Sequence, residues 1–388
     1  MQTQLVAENT AKLEVPELSK FRTSAGDYAP SLTPVFYNPQ MELCRDISVA
    51  VAQAASNLLG ELSICDPLAG VGVRGIRYKK EVGGEPKVIL NDHSPNAYAL
   101  MLNNVRLNGL EGLVDVHQKD ANVLLWENRG RFNFIDADPF GSPAPFIDSA
   151  CAAMCKNGMI AITATDTAPL CGSGARACLR KYGAQPLRTE YCRETGIRIL
   201  IGFAQRVAGK HELSLIPYLS HATQHYFRVY FWAEKRAKAA DDVLKKQGYI
   251  SHCFKCGRRF PTSGLAATLP ESCECGAKLF HAGPLWLGQL SDEKFAEEVV
   301  KNLAKMSFRL GASEIFLVRR CADEAAGPPT FYEINQLAKL TKGKSPKISK
   351  IIEAIRMKGF FASRTHFSGG GLKTDAPITE ITELFGAV

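Results

Sequence analysis

The stretch from Leu62 to Asp92 leaves few folds open to this chain. Leu62-Ser63-Ile64-Cys65 reads as a short buried strand. Asp66-Pro67-Leu68-Ala69-Gly70-Val71-Gly72-Val73-Arg74-Gly75 follows, and a helix is expected to open near Arg74. Gly70, Gly72 and Gly75 fit G-x-G-x-x-G, where glycines let the backbone turn tightly into a helix and approach a ligand closely. That pattern alone is weak, and a purely structural glycine turn satisfies it as well. The next segment strengthens it. Lys87-Val88-Ile89-Leu90-Asn91-Asp92 reads as a strand and ends on an acid 22 residues after Gly70, where a carboxylate takes ribose hydroxyls. Strand, glycine loop, helix, strand and acid together point to an α/β sheet with a nucleoside-containing cofactor.

The acids narrow the cofactor. A dinucleotide fingerprint starts its glycines at the strand end, to seat a pyrophosphate on the helix N-terminus. Here Asp66 intervenes; it would repel a pyrophosphate and suits a cationic amino-acid end. Val114-Asp115-Val116-His117-Gln118-Lys119-Asp120-Ala121 is a third strand ending in an acid, and an acid beside a small residue can hold an adenine edge. The fourth strand closes with Phe134-Ile135 and runs into Asp138-Pro139-Phe140-Gly141-Ser142-Pro143. Pro139 has no N–H for a central ladder, so Asp138 is expected at a carboxyl end, where open α/β sheets place ligands. Asp138 and the Pro139 carbonyl offer two acceptors to an amino group, and Phe140 offers a ring to a flat heterocycle. An ordinary strand-ending turn is the plainer reading of Asp-Pro taken alone.

Acid-ended strands followed by Asp-Pro-aromatic look like an S-adenosylmethionine-dependent amino-methyltransferase of the Rossmann-like class. Phe36-Tyr37-Asn38-Pro39, Arg45-Asp46, the loop from Asp66 to Gly75, Asn91-Asp92 and Asp138-Pro139-Phe140-Gly141-Ser142-Pro143 resemble the tRNA guanine-26 N2-dimethyltransferase family over nearly the whole chain. The resemblance implies cofactor contacts at Arg45, Arg74, Asp92, Asp120 and Ala121, beside Asp66, Gly70 and Gly72 of the loop. It implies Asp138 as the catalytic residue, with Pro139 beside it and with Phe36 and Phe140 around the target base. It also implies a tRNA substrate and two successive methylations of one guanine amine.

The rest of the chain is read more coarsely. Residues 1–30 show no clear period, and Phe36-Tyr37 reads as an extended strand entering a turn. Leu43, Ile47, Val51, Ala54 and Leu58 give a helix from about Met41 to Leu59. A helix over Ser142–Cys155, a strand over Gly158–Asp166 and two strands over Leu213–Ser220 and His225–Trp232 are expected to complete the first domain. Polar, lysine-rich Glu234–Lys246 marks a boundary, giving a methyltransferase domain of residues 1–235 and a smaller α/β domain of residues 236–388. Helices are expected over Val299–Leu310 and Ile351–Met357, and a strand over Glu314–Arg320.

The second domain carries Cys253-Phe254-Lys255-Cys256-Gly257 and Cys273-Glu274-Cys275-Gly276. Four soft thiolates in two tight knuckles select zinc in a closed structural site. The other eight of the twelve cysteines show no such pairing and read as buried apolar residues. Lys339, Lys342, Lys344, Lys347 and Lys350, followed by Arg356, Lys358, Arg364, His366 and Lys373, form the best candidate surface for RNA phosphates. Composition agrees with a globular protein: 46% of residues are hydrophobic, 22% are charged, and the net charge of +8 permits a polyanionic partner. No signal peptide or membrane span is expected, which favours the cytoplasm; no protein partner is predicted. Two rival readings are another amino-methyltransferase, acting on DNA adenine or protein, and a non-enzymatic RNA-binding protein; a nicotinamide dehydrogenase is a distant third. The zinc motif and Phe140-Gly141-Ser142-Pro143 argue against the first rival, and the intact cofactor loop with Asp138 against the second.

Overall fold

The structure, a computed structural model, describes residues 1–22, 28–343 and 345–386. The chain packs as two compact units, each built from three segments: Met1–Ile162, Trp232–Lys235 and Glu298–Phe316 in one, Thr163–Phe231, Arg236–Glu297 and Leu317–Val388 in the other.

The first unit opens with an antiparallel hairpin of β1 (Thr3–Glu8) and β2 (Ala11–Pro16), followed by helix α1 (Glu42–Leu59). Strands and helices then alternate: β3 (Ser63–Asp66), α2 (Val73–Glu81), β4 (Lys87–Asn91), α3 (Pro95–Leu107), β5 (Val114–His117), α4 (Ala121–Glu127), β6 (Phe132–Ala137), α5 (Ile147–Ala153) and β7 (Met154–Ala164). Five strands lie in the order β5-β4-β3-β6-β7, each parallel to its neighbour. This is the Rossmann-like sheet expected from the sequence. Ile64, Leu90, Phe134 and Ile135 are wholly buried, as strands covered on both faces require. Gly75 lets α2 lie close on the sheet: a Cβ there would stand 2.1 Å from Leu90 Cδ2 and 3.1 Å from Val88 Cγ1.

Several expectations need correction. Phe36 and Tyr37 belong to no strand; Asn38 accepts from the Gln40 N–H and caps a 3-10 turn. Ser142–Cys155 is not one helix, because Pro143 and Pro145 hold a 3-10 turn at Ala144–Phe146 before α5 begins. Glu314–Arg320 is not a strand but part of the helix Gly311–Asp323. Four consecutive apolar residues do not distinguish strand from helix. Buried Glu314, Val318 and Cys321 recur at helical spacing while Phe316 is 62% exposed, so the three-to-four period wins.

In the second unit, β8 (Leu213–Thr223) neighbours β9 (Tyr226–Lys235). β10 (Gln247–His252) is the centre of a three-stranded antiparallel sheet, with β11 (Arg259–Ser263) and β12 (Phe280–Trp286) on its sides. Helices Ile334–Thr341 and Ile348–Met357 pack a separate small core through Leu337, Ile351 and Ile355. Among the described residues, no helix is long and apolar enough to cross a membrane.

Candidate active site

The acids expected at strand ends all stand there, in the first unit. β3 ends on Asp66, β4 stops one residue before Asp92, and β6 stops one residue before Asp138. Asp120 lies just past β5. The chain runs outward from β3 through β4 to β5, then returns to β6 on the other side of β3. Such a reversal opens a crevice at the carboxyl ends of the strands. The cleft found there is lined by Phe36, Asn38, Arg45, Asp66, Gly70, Arg74 and Asp138, among others.

The glycine loop is held by its neighbours. Asp92 Oδ2 accepts from the Gly70 N–H at 3.1 Å, and its Oδ1 accepts from the Ser94 N–H at 2.9 Å. Gly70 has φ +57°, and a Cβ on it would stand 2.8 Å from the Phe36 carbonyl oxygen. Only glycine relieves both constraints. Asn91, not assigned a role from sequence, donates to the carbonyls of Pro67 and Lys119, each at 3.0 Å, and ties the first loop to the third. Asp120 caps α4, its Oδ1 accepting from the N–H groups of Asn122 and Val123, while Ala121 is buried behind it.

Two arginines are sunk beneath the cleft. Arg45 forks onto Glu8, at 2.6 Å from Oε1 and 2.5 Å from Oε2, and lies over the Tyr37 ring. Glu8 also holds Arg77 at 2.9 Å, and Arg77 in turn holds Asp46 at 2.6 Å. Burial pushes the Glu8 carboxyl up, but Arg45 and Arg77 outweigh it, and the group titrates below its ordinary value. Breaking one partner of such a buried pair costs ~3–5 kcal/mol. The network therefore fixes Arg45 at the cleft wall. Arg74 donates to Ser48 Oγ at 2.7 Å, stands 3.6 Å from Asp136 and forms an ion pair with Asp138. Asp136 is itself bound by the Tyr78 hydroxyl at 2.5 Å. Burial first, then the Asp136 carboxylate, push Asp66 up to about 8 against the pull of Arg74.

Asp138 is half-buried, Pro139 is buried, and Phe140 projects with 72% of its surface exposed. The Phe140 ring faces Phe36 edge-on, with centroids 6.0 Å apart. Two exposed rings flank a carboxylate at the rim of the cleft. Glu8, Ser48, Tyr78 and Asp136 complete the site and carried no motif; only the alternation Ala11-Lys12-Leu13-Glu14-Val15 could have revealed the hairpin that delivers Glu8.

In the second unit, Sγ of Cys253 lies 3.5 Å from that of Cys275, and Sγ of Cys256 lies 3.6 Å from that of Cys273. All four Sγ atoms lie within 4.8 Å of one another. A zinc–sulfur bond of ~2.3 Å puts tetrahedral ligands ~3.8 Å apart, so the cluster fits one structural zinc. Of the other eight cysteines, Cys155, Cys171 and Cys192 are half-buried and the rest are buried.

The lysine cluster divides. Lys339, Lys342, Lys347 and Lys350 are exposed and pair with no carboxylate among the described residues; Lys344 lies outside those residues. Several of the later cations are internal or bonded within the unit; Arg364 is half-buried and pairs with no carboxylate among the described residues. Lys373 is buried, 2.7 Å from Glu194; Lys358 meets Glu380; His366 pairs with Glu324; and Arg356 donates to the Ala362 carbonyl. Lys373 and His366 are withdrawn from the expected phosphate surface, whereas Arg356 and Lys358 stay exposed.

Comparison with known proteins gives the family. A protein of Methanosphaera stadtmanae called tRNA (guanine(26)-N(2))-dimethyltransferase is 42% identical over 386 residues, 99% of this chain and 97% of its own. Its counterpart of the same name in Pyrococcus horikoshii is 38% identical over 386 residues, covering 96% and 95% of the two chains. The solved structure of Trm1 from Pyrococcus horikoshii with S-adenosyl-L-methionine matches with a TM-score of 0.86 and 38% identity, covering 98% of this chain and 99% of that one. The sequence model for N2,N2-dimethylguanosine tRNA methyltransferases matches residues 10–386. With an acid-ended parallel sheet, a glycine loop and Asp138-Pro139-Phe140 at its rim, this chain belongs to the N2,N2-dimethylguanosine tRNA methyltransferase family.

Proposed function

We propose that this chain transfers two methyl groups in succession from S-adenosylmethionine to the exocyclic amine of guanine 26 in tRNA. The observation that carries the reading is Asp138, one residue beyond β6, beside the cofactor cleft and flanked by the exposed rings of Phe36 and Phe140. A guanine amine is a poor nucleophile because its lone pair is delocalised into the ring. Arg74 holds Oδ2 of Asp138, which leaves Oδ1 to accept one amine N–H while the Pro139 carbonyl accepts the other. The lone pair then turns toward the methyl sulfonium, an effect of positioning and electrostatic stabilisation. The base must leave its stack first, and Phe36 and Phe140 receive it. Gly70, Gly72, Asp92, Asp120 and Ala121 hold the nucleoside end of the cofactor in this reading, and Arg45, Asp66 and Arg74 its amino-acid end. The unit that holds the cleft carries the transfer, and the unit that holds the zinc knuckle grips the RNA. Nucleoside analysis of tRNA after incubation with methyl-labelled cofactor tests it. Monomethylguanosine should appear first and dimethylguanosine after it, and a transcript lacking guanine 26 should take up no label. Undiminished labelling of that transcript would overturn the position.

Cofactor binding should depend on pH through Asp66. The free group holds its proton up to about pH 8, and an ion pair with a cationic ammonium needs the carboxylate. Affinity for S-adenosylhomocysteine should therefore rise from pH 6 toward pH 8 by up to about tenfold per unit, then level off. Asp66→Asn should flatten the profile. Calorimetry in buffers of different ionisation enthalpy reads the released proton; a flat wild-type profile would remove Asp66 from the ammonium.

RNA binding should fall steeply with salt. Replacing Lys339 and Lys347 by Ala should weaken tRNA binding and flatten the salt slope by about 0.9 for each phosphate no longer neutralised. An unchanged slope would place the phosphate surface elsewhere.

A further inference from the structure

The zinc knuckle turns two side chains outward by construction. Its thiols face inward on one point, so the residues between Cys253 and Cys256, Phe254 and Lys255, face solvent. Phe254 is 55% exposed, and Phe280 beside it is 44% exposed. Their ring centroids are 5.3 Å apart, with planes at 73°. Phe254 rests edge-on against His252, with centroids 4.5 Å apart. His252 is buried and lies directly across the β10–β12 ladder from Phe280. Its Nδ1 lies 3.0 Å from the Tyr191 hydroxyl. The two exposed phenyl rings therefore stand on a rigid base, where ordering them for a partner costs little side-chain entropy.

Two cations stand beside them. Lys278 Nζ lies 6.0 Å from the Phe280 ring centroid, and Lys255 is exposed beside Phe254. Neither lysine pairs with a carboxylate among the described residues, whereas the neighbouring acid Glu274 is tied to Arg258. A hollow of about 310 Å³ opens alongside, lined in part by Phe254, Tyr332, Arg188 and Glu333 and by Arg259 paired with Glu190. Exposed flat rings flanked by unpaired ammonium groups match unpaired nucleotides: rings stack on bases and cations meet phosphates. A protein partner bound through aliphatic burial would have no use for that pairing of flat rings and free cations.

We propose that Phe254 and Phe280 form a stacking platform for an unpaired nucleotide of the tRNA substrate other than the methylated guanine, with Lys255 and Lys278 on its phosphates. The proposal rests on the tRNA reading above. Fluorescence anisotropy with labelled tRNA and S-adenosylhomocysteine tests it. The Phe254→Ala, Phe280→Ala double variant should bind about tenfold more weakly or worse, the scale of lost base stacking, with an unchanged salt slope. Its KM for tRNA should rise in step while kcat holds, and its zinc content should be unchanged. Phe254→Tyr in the otherwise native chain should keep wild-type affinity, and Phe254→Leu should not, because leucine fills space but does not stack. A role in packing alone predicts the opposite for leucine. Lys255→Ala with Lys278→Ala, two surface changes, should instead flatten the salt slope by about 1.4. Normal affinity in the phenylalanine variants, or an unchanged slope in the lysine pair, overturns the platform. So does a shift in self-association by sedimentation without loss of tRNA affinity, which would assign the patch to protein contact. A wild-type chain that fails to methylate tRNA overturns the reading beneath; one that methylates while the variants bind normally overturns the platform alone.

Discussion

Asp138→Asn should slow methyl transfer at saturating tRNA and cofactor by ~100-fold or more, the scale of losing a positioned catalytic group. The ion pair with Arg74 decides the choice of substitution. Arg74 is buried, and alanine at 138 would remove one of its anionic partners. The resulting loss of stability would blur any loss of rate. Asparagine keeps the shape and an oxygen for Arg74 but removes the charge that answers the developing positive amine. Asp136 at 3.6 Å and Ser48 at 2.7 Å also continue to hold the guanidinium. The melting temperature should therefore move little. tRNA affinity should barely change, because phosphate contacts dominate binding. Phe140→Ala should behave differently. It removes an exposed ring that supports no core, costs roughly 1–3 kcal/mol of stacking in the flipped state, and should let monomethylguanosine accumulate. Single-turnover methylation beside thermal melting makes the comparison. A folded Asp138→Asn chain that methylates at the normal rate would refute the role assigned to this carboxylate.

The parts of the fold that could be read in advance were those punctuated by chemistry. Strands β3, β4, β5 and β6 each run from an apolar stretch into an acid, and a proline or helix cap then stops the ladder. Residue type alone marks those boundaries, so the sheet and the rim of the cleft were legible together. What escaped was long-range pairing. Glu8 sits in an N-terminal hairpin and is 37 residues from Arg45 and 69 from Arg77. No local period announces that a carboxylate will be buried between two arginines. Lys373 and His366 show the reverse error. Each reads as part of a cationic surface, yet Glu194 and Glu324 draw them inside. Charge in a sequence indicates a solvated face only while no partner is known. Glu314 is the sharpest case, since a helix buries it wholly against Asp46. Burial first, and then the hydrogen bond that the protonated Glu314 carboxyl donates to Asp46, hold Glu314 well above the ordinary range. A raised acid of this kind stabilises the fold when protonated, and that contribution fades as pH rises above the ordinary carboxylate range.

Removing zinc should unfold the knuckle and leave the cofactor site working. The core there is too small to stand without the ion. Its buried members are Cys253, Cys273 and Leu279, with only Cys256, Phe260, Cys275 and Ala277 partly buried against them. Three buried side chains of this size contribute a few kcal/mol at most. A structural zinc bound by four thiolates contributes ~10–16 kcal/mol in small folded domains. The backbone is already shaped for the ion. The Gly257 N–H donates to the Cys253 carbonyl and the Gly276 N–H to the Cys273 carbonyl, each closing a tight turn. Gly257 and Gly276 take φ +73° and +78° there, which glycine adopts without strain. Replacing Cys253 and Cys256 by Ser removes two soft ligands and leaves two thiolates that cannot close a tetrahedron. Elemental analysis should fall from about one zinc per chain to about none. Melting should split into two transitions or shift down by ~10 °C or more, since each kcal/mol moves a domain of this size by several degrees. Affinity for S-adenosylhomocysteine should hold within about twofold, because every residue of the cleft lies in the other unit. tRNA affinity should fall, as β10 and β12 lose the turn that carries Phe254 beside Phe280. Wild-type protein that is fully folded and free of metal after dialysis against a chelator would show that the thiols alone shape the turn.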